Sequence, residues 1–277
     1  MMSLGSFALY PMVFYELQPI YLCKDLVTIG EWATCETEDF CDKPEVVYKV
    51  DESNSLSLHN WVTDYDMTCS PKYQFGLFGS MYFFAVVLAS ITLTPLADRF
   101  GRKIMGLLGV GLIALFQIVL LFSTSREFTY FCIFMLGLAM PPRVFVGYIY
   151  CMEFLPMDKT SKVTAILMGN DGFVMIISAL WFMSISKNWR TLFTLATCMV
   201  VVVFIIQIFM PESPKFLVSK GRYAEARAVM TRIAKSNGLT SFAFNEEEAK
   251  CFGLASQSQE DSGNEITYEC KWIEEVE

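Results

Sequence analysis

Residues 75–97, 104–122, 129–152, 163–185 and 191–210 are five apolar runs of 19 to 24 residues. Only Arg143 and Asp171 carry charge within them. A run of 18 or more apolar residues reads as a membrane-crossing helix. Hydrocarbon offers the backbone no water, so each segment must satisfy its own N–H and C=O groups, and a helix does so. The chain is 54% hydrophobic and 18% charged, against roughly a quarter charged in a soluble domain. Residues 4–22 read as a further span, interrupted by Pro11, Glu16, Gln18 and Pro19. The pattern predicts an all-α membrane protein with six transmembrane helices. No basic segment precedes the first apolar stretch, so a signal peptide is not expected.

Charge divides the chain unevenly. Residues 24–74 hold 11 acids and 4 bases, residues 75–238 hold 7 acids and 15 bases, and residues 239–277 hold 10 acids and 2 bases. Lys and Arg favour the cytoplasmic side of a membrane, which puts the short basic connections inside and the acidic loop outside. The expected organisation is a first transmembrane helix over 1–23 and an acidic outer loop over 24–74. Helices two to six follow over 75–210, then an inner amphipathic helix over 211–238 and an acidic tail over 239–277, mostly disordered by composition. Cys23, Cys35, Cys41 and Cys69 lie in or beside the outer loop. Four cysteines there suggest two disulfides with three pairings open. The sequence has no CxxC, one histidine (His59), no Ser/His/Asp set and no phosphate-binding loop. No metal site, cofactor, enzymatic activity or nucleic-acid partner is expected.

The hinge "TPLADRFGRKIMG" (94–106) packs Asp98, Arg99, Arg102 and Lys103 between two charge-free runs. Its core, "LADRFGRK" (96–103), resembles the signature loop between helices two and three of the major facilitator superfamily. "VGYIYCMEFLP" (146–156) is similar to the end of the fourth helix in that family's organic cation and anion transporters. "PESPKFLVSKGRYAEA" (211–226) resembles the signature after their sixth helix, and "NWVTDYDMTCSPKYQ" (60–74) the end of their large outer loop. The matches run in order over residues 10–238. The resemblance implies a six-helix bundle built from two inverted three-helix repeats, the first half of a twelve-helix carrier. It also implies an inner charge latch of Asp98, Arg99, Gly101, Arg102, Lys103, Glu153, Glu212 and Arg222. Physically, Gly101 permits a tight turn, and the Arg102 fork can hold a carboxylate from another inner connection, Glu153 or Glu212.

Two positions depart from the family pattern. Thr94 stands where the motif has glycine, and Lys215 where PESPR has arginine. The chain ends where a seventh helix would follow, so a half-transporter is expected. Charges inside spans are costly and default to functional readings. Glu16, Gln18, Arg143, Asn170 and Asp171 are therefore candidate cavity groups. Arg143 and Asp171 each lie about 14 Å from the same end of the bundle, close enough to be expected as a pair. The reading is a solute carrier for small organic ions that needs a partner bundle; the alternative is a transport-inactive half-transporter acting as a structural subunit of a larger membrane complex. Expected partners are membrane lipid and a protein, or a second copy, covering the open bundle face. The membrane stays open between the plasma membrane and an organelle, the mitochondrial inner membrane included.

Overall fold

The computed structural model describes residues 6–7, 10–25, 31–155 and 157–238. Elements run α1 (Met12–Tyr15), β1 (Tyr21–Asp25), β2 (Ala33–Cys35), α2 (Thr37–Phe40), β3 (Val46–Val50) and α3 (Trp61–Asp64). Next come α4 (Lys72–Thr92), α5 (Ala97–Phe100), α6 (Arg102–Leu121), α7 (Arg126–Met152), α8 (Met157–Ser184), α9 (Trp189–Ile208), α10 (Pro214–Ser219) and α11 (Tyr223–Ser236). The fold is mostly helical. Among the described residues five helices are long and apolar enough to cross a membrane: α4, α6, α7, α8 from Lys159, and α9. A count of six is not reached among these residues.

The expected single helix over 1–23 takes another form where it is described. Pro11 starts α1 and Glu16 ends it after one turn. The chain then passes Pro19 and enters strand β1. The prolines explain this: each lacks an N–H and opposes helix continuing through the preceding turn. Residues 1–5 and 8–9 of that span, and the tail over 239–277, lie outside the described residues.

Local chemistry sets the other boundaries. α4 follows the extended Pro71. Gly101, at φ +110°, closes α5 and opens α6, a conformation glycine adopts without a Cβ clash. α7 stays helical through Pro141 and Pro142. Its backbone lies so close to α6 there that a Cβ on Gly109 would come within 3.0 Å of the Pro142 carbonyl carbon. Where one inner helix over 211–238 was expected, there are two. Ser213 caps α10 by accepting the Phe216 N–H at 3.3 Å, and Gly221 (φ +71°) turns the chain into α11. The outer loop is not structureless, for β2-β1-β3 form an antiparallel sheet with Tyr21 opposite Cys35 and Val50.

The main core runs between α4, α6, α7 and α9. At the end nearest the outer loop it is aromatic: Tyr15 lies 5.1 Å from Trp61 and 5.6 Å from Trp189, ring to ring. Trp189 also meets Phe193 at 5.4 Å. Helix α8 is the least covered, with 11% of its span buried against 56% for α7.

Candidate functional site

The basic end of the bundle gathers three connections. Arg102 starts α6, Glu153 caps α7, and Glu212 follows α9. Arg102 Nε donates to Glu153 Oε1 at 3.2 Å, and Arg102 Nη1 pairs with Asp98 at 2.9 Å. Arg102 also donates to the Ala97 carbonyl and lies 5.1 Å from the Phe216 ring. Glu212 takes a different partner. Its Oε1 accepts the backbone N–H of Lys103 at 2.9 Å and that of Ser213 at 3.0 Å. The Lys103 donor stands at the first turn of α6, where N–H groups lack helical acceptors and the helix dipole favours an anion. The Glu212 carboxylate fills the space that a Cβ on Gly101 would occupy. Gly101 is therefore fixed twice, by its φ and by its neighbour.

Arg102 and Glu153 are mostly buried, with side chains 17% and 12% exposed, whereas Asp98 is 72% exposed. The Arg102–Glu153 bond is therefore less screened than the Arg102–Asp98 bond. Arg99 points to solvent. Arg222 pairs elsewhere, at two points with Glu225 at 2.6 and 2.7 Å, while still feeling the Glu212 charge. That spacing, three residues apart on a helix start, lets the local acid capture it. Thr94 lines a 220 Å³ cleft with Ser90, Pro95, Ala97, Asp98, Arg102, Val146 and Ile149.

The interior polar groups are only partly brought together. Arg143 is buried, and Tyr82, Asp171 and Tyr10 are near enough to act on it electrostatically. The expected direct ion pair is not formed within the described residues: Asp171 accepts a hydrogen bond from Ser6 at 3.1 Å instead. Helix α8 meets its neighbours at other points, Thr164 with Tyr148 of α7 at 2.9 Å and Phe182 with Phe14 at 5.3 Å, ring to ring. Asn170 is exposed, as is Gln18. Glu16 lies near Tyr130, 13 residues from Arg143 along α7, or about 20 Å.

At the opposite end, sequence reading missed a cluster centred on Asp64. Its carboxylate accepts the Trp189 indole N–H at 2.9 Å, pairs with Arg190 at 3.1 Å and faces His59 Nε2 at 3.3 Å. His59 exchanges backbone hydrogen bonds with Lys187 and Trp189, at 3.0 and 3.1 Å. Lys187 Nζ donates to the carbonyls of Glu52 and Asn54. Asn60 caps α3, and its amide donates to the Phe14 and Leu17 carbonyls. The available signal was the Asn-x-x-Thr of "NWVT", a helix-start pattern. Cys23 is bonded to Cys35 and Cys41 to Cys69.

Residues 56–246 match the sequence profile of the Major Facilitator Superfamily. Organic cation/carnitine transporter 2 of Rattus norvegicus is 30% identical over 195 residues, covering 68% of this chain and 34% of that protein. The Homo sapiens protein of the same name is 27% identical, over 75% of this chain and 37% of its own. Solute carrier family 22 member 21 of Mus musculus is 28% identical, over 67% and 33%. The chain spans about a third of the length of the curated relatives it matches. With its several membrane-crossing helices, the chain is a multi-pass integral membrane protein and belongs to the Major Facilitator Superfamily, in its organic cation transporter branch.

Proposed function

We propose that this chain takes part in transmembrane transport of small organic ions, as one helical bundle working against a second. The observation that carries this reading is the convergence at the basic end. Arg102 holds Glu153, and Glu212 sits on the first turn of α6, so the hinge, the end of α7 and the end of α9 are tied at one place. Such a tie has two states, closed or broken, which is what a latch between access states requires. In this reading Asp98, Arg102, Glu153 and Glu212 form the latch, and Arg99 and Arg222 do not. Glu16 and Asp171 supply negative charge and Arg143 positive charge to the polar interior, which suits an organic cation that also bears a carboxylate. A second bundle, from a partner protein or a second copy, covers the open face. The relatives' names, organic cation and carnitine transporters, support the substrate class.

The test is uptake of radiolabelled tetraethylammonium and of carnitine into proteoliposomes holding the purified protein with whatever partner survives mild solubilisation. Saturable uptake that falls at least ten-fold in Arg102→Ala supports the reading. Absence of uptake from a chain held stoichiometrically in a larger complex would replace it with the structural-subunit reading.

A further inference from the structure

The cleft beside Thr94 has a lining that selects one kind of molecule. Its walls come from the end of α4, the hinge, the start of α6 and the basic-end half of α7. Val146 and Ile149 of α7 give one wall an apolar surface, while Ser90, Thr94, Asp98 and Arg102 bring the polar groups. At 220 Å³ the cleft is smaller than the roughly 300–1,000 Å³ of pockets that hold drug-sized ligands. An occupant is therefore small.

The charge it presents is negative. Arg102 meets two carboxylates, and one guanidinium balances one of them. Its Nε donates to Glu153, which is mostly buried, whereas its other partner, Asp98, stands largely in the open. An exposed pair is worth little, so Asp98 can exchange Arg102 for another cation while Glu153 keeps the guanidinium paired. Two hydroxyls stand beside that carboxylate. Ser90, Thr94 and Asp98 are four residues apart, the spacing that stacks side chains along one face of a helical chain. The hinge holds that course, since the Ala97 N–H donates to the Thr94 carbonyl at 3.1 Å and the Asp98 N–H to the Pro95 carbonyl at 3.2 Å. Ser90 Oγ gives its proton to the Val86 carbonyl at 2.8 Å, so toward the cleft it accepts. Thr94 Oγ1 is buried and has no hydrogen-bond partner among the described residues. A buried hydroxyl gains free energy from a ligand donor that pairs it.

We propose that this cleft is a binding site for a small primary alkylammonium ion. An ammonium head carries three N–H donors, and Asp98, Thr94 and Ser90 offer it three acceptors. The alkyl body then lies against Val146 and Ile149. An anion would meet Asp98 as a like charge, and a quaternary ammonium has no N–H for the hydroxyls. Arg143 and Asp171 are not among the residues lining the cleft. The site is therefore distinct from the polar interior, and it holds its ligand whether or not the chain carries solutes.

The probes are n-butylammonium, butanol, butyrate and tetramethylammonium. Each is titrated by saturation-transfer NMR against the full chain in discs of neutral phosphatidylcholine, with the signal of empty discs subtracted. Butylammonium should bind saturably, and about ten-fold tighter than the other three. Asp98→Asn should weaken its binding about ten-fold, and Thr94→Val roughly three-fold. Asp98 is exposed, so its variant should keep the thermal midpoint of the parent; if that midpoint falls, Thr94→Val decides alone. Absence of saturable butylammonium binding overturns the proposal. So does butyrate or butanol binding as tightly as butylammonium, which would remove the charge selection. Butylammonium binding that ignores both substitutions overturns it too, because the cation would then sit elsewhere in the molecule.

Discussion

The two ends of the bundle are closed by different chemistry. At the loop end, the strap from Asp51 to Asp64 is held by backbone hydrogen bonds to the α8–α9 turn and a cluster of buried aromatic rings, and it lies within the loop that the Cys41–Cys69 disulfide closes. At the basic end, closure rests on Arg102, Glu153, Glu212 and a few amide donors. Apolar burial and covalent links have no cheap alternative state. A half-buried ion pair does, because water and other charges can replace each partner. The contrast marks the basic end as the one held by replaceable partners and the loop end as the one held by burial and covalent links.

The contrast can be broken experimentally, beginning where the effect should be largest. Trp189→Ala removes a fully buried ring and the indole bond to Asp64, and should cost about 3–5 kcal/mol, read as a lowered thermal midpoint in detergent. Replacing Cys41 and Cys69 by Ser opens a link across 28 residues and should cost about 3 kcal/mol, with faster proteolysis confined to the outer loop. Arg102→Ala leaves the Glu153 carboxylate half-buried without its cation and should cost about 2–3 kcal/mol. Adding Glu153→Gln should recover much of that loss, as a double-mutant cycle would show. Arg222→Gln, at a side chain paired with the exposed Glu225, should leave the midpoint unchanged. If Arg102→Ala proved costlier than Trp189→Ala, the contrast between the two ends would have to be reversed.

Much of this was legible in advance, for reasons that differ by region. The five long apolar helices follow from a bilayer's demand on the backbone, which depends on composition alone. The hinge showed its charges, but not that Arg102 would choose Glu153 while Glu212 took backbone amides. That choice depends on where α7 and α9 end relative to α6, which no local pattern encodes. That Arg222 would pair with Glu225 was not read in advance, although that acid lies three residues on, on its own helix. Arg143 and Asp171 sit at equal depth, yet depth does not say how tightly α8 packs. The sheet was hidden because its first strand reads as the end of an apolar span, and the Asp64 cluster because it joins segments more than a hundred residues apart, Asp64 and Trp189.

Helix α8 has one more implication. From Lys159 to Ser184 it covers 26 residues, about 39 Å of helix with Lys159 and Lys162 in its first turn, while hydrocarbon is about 30 Å thick. α6 and α9, at 20 residues each, fit that thickness upright. A helix so long and so little gripped by its neighbours answers to the bilayer itself, leaning more in a thin one and standing straighter in a thick one. Acyl-chain length should therefore move α8 relative to α6 and α9, so that the lipid around the protein acts as a setting on its shape.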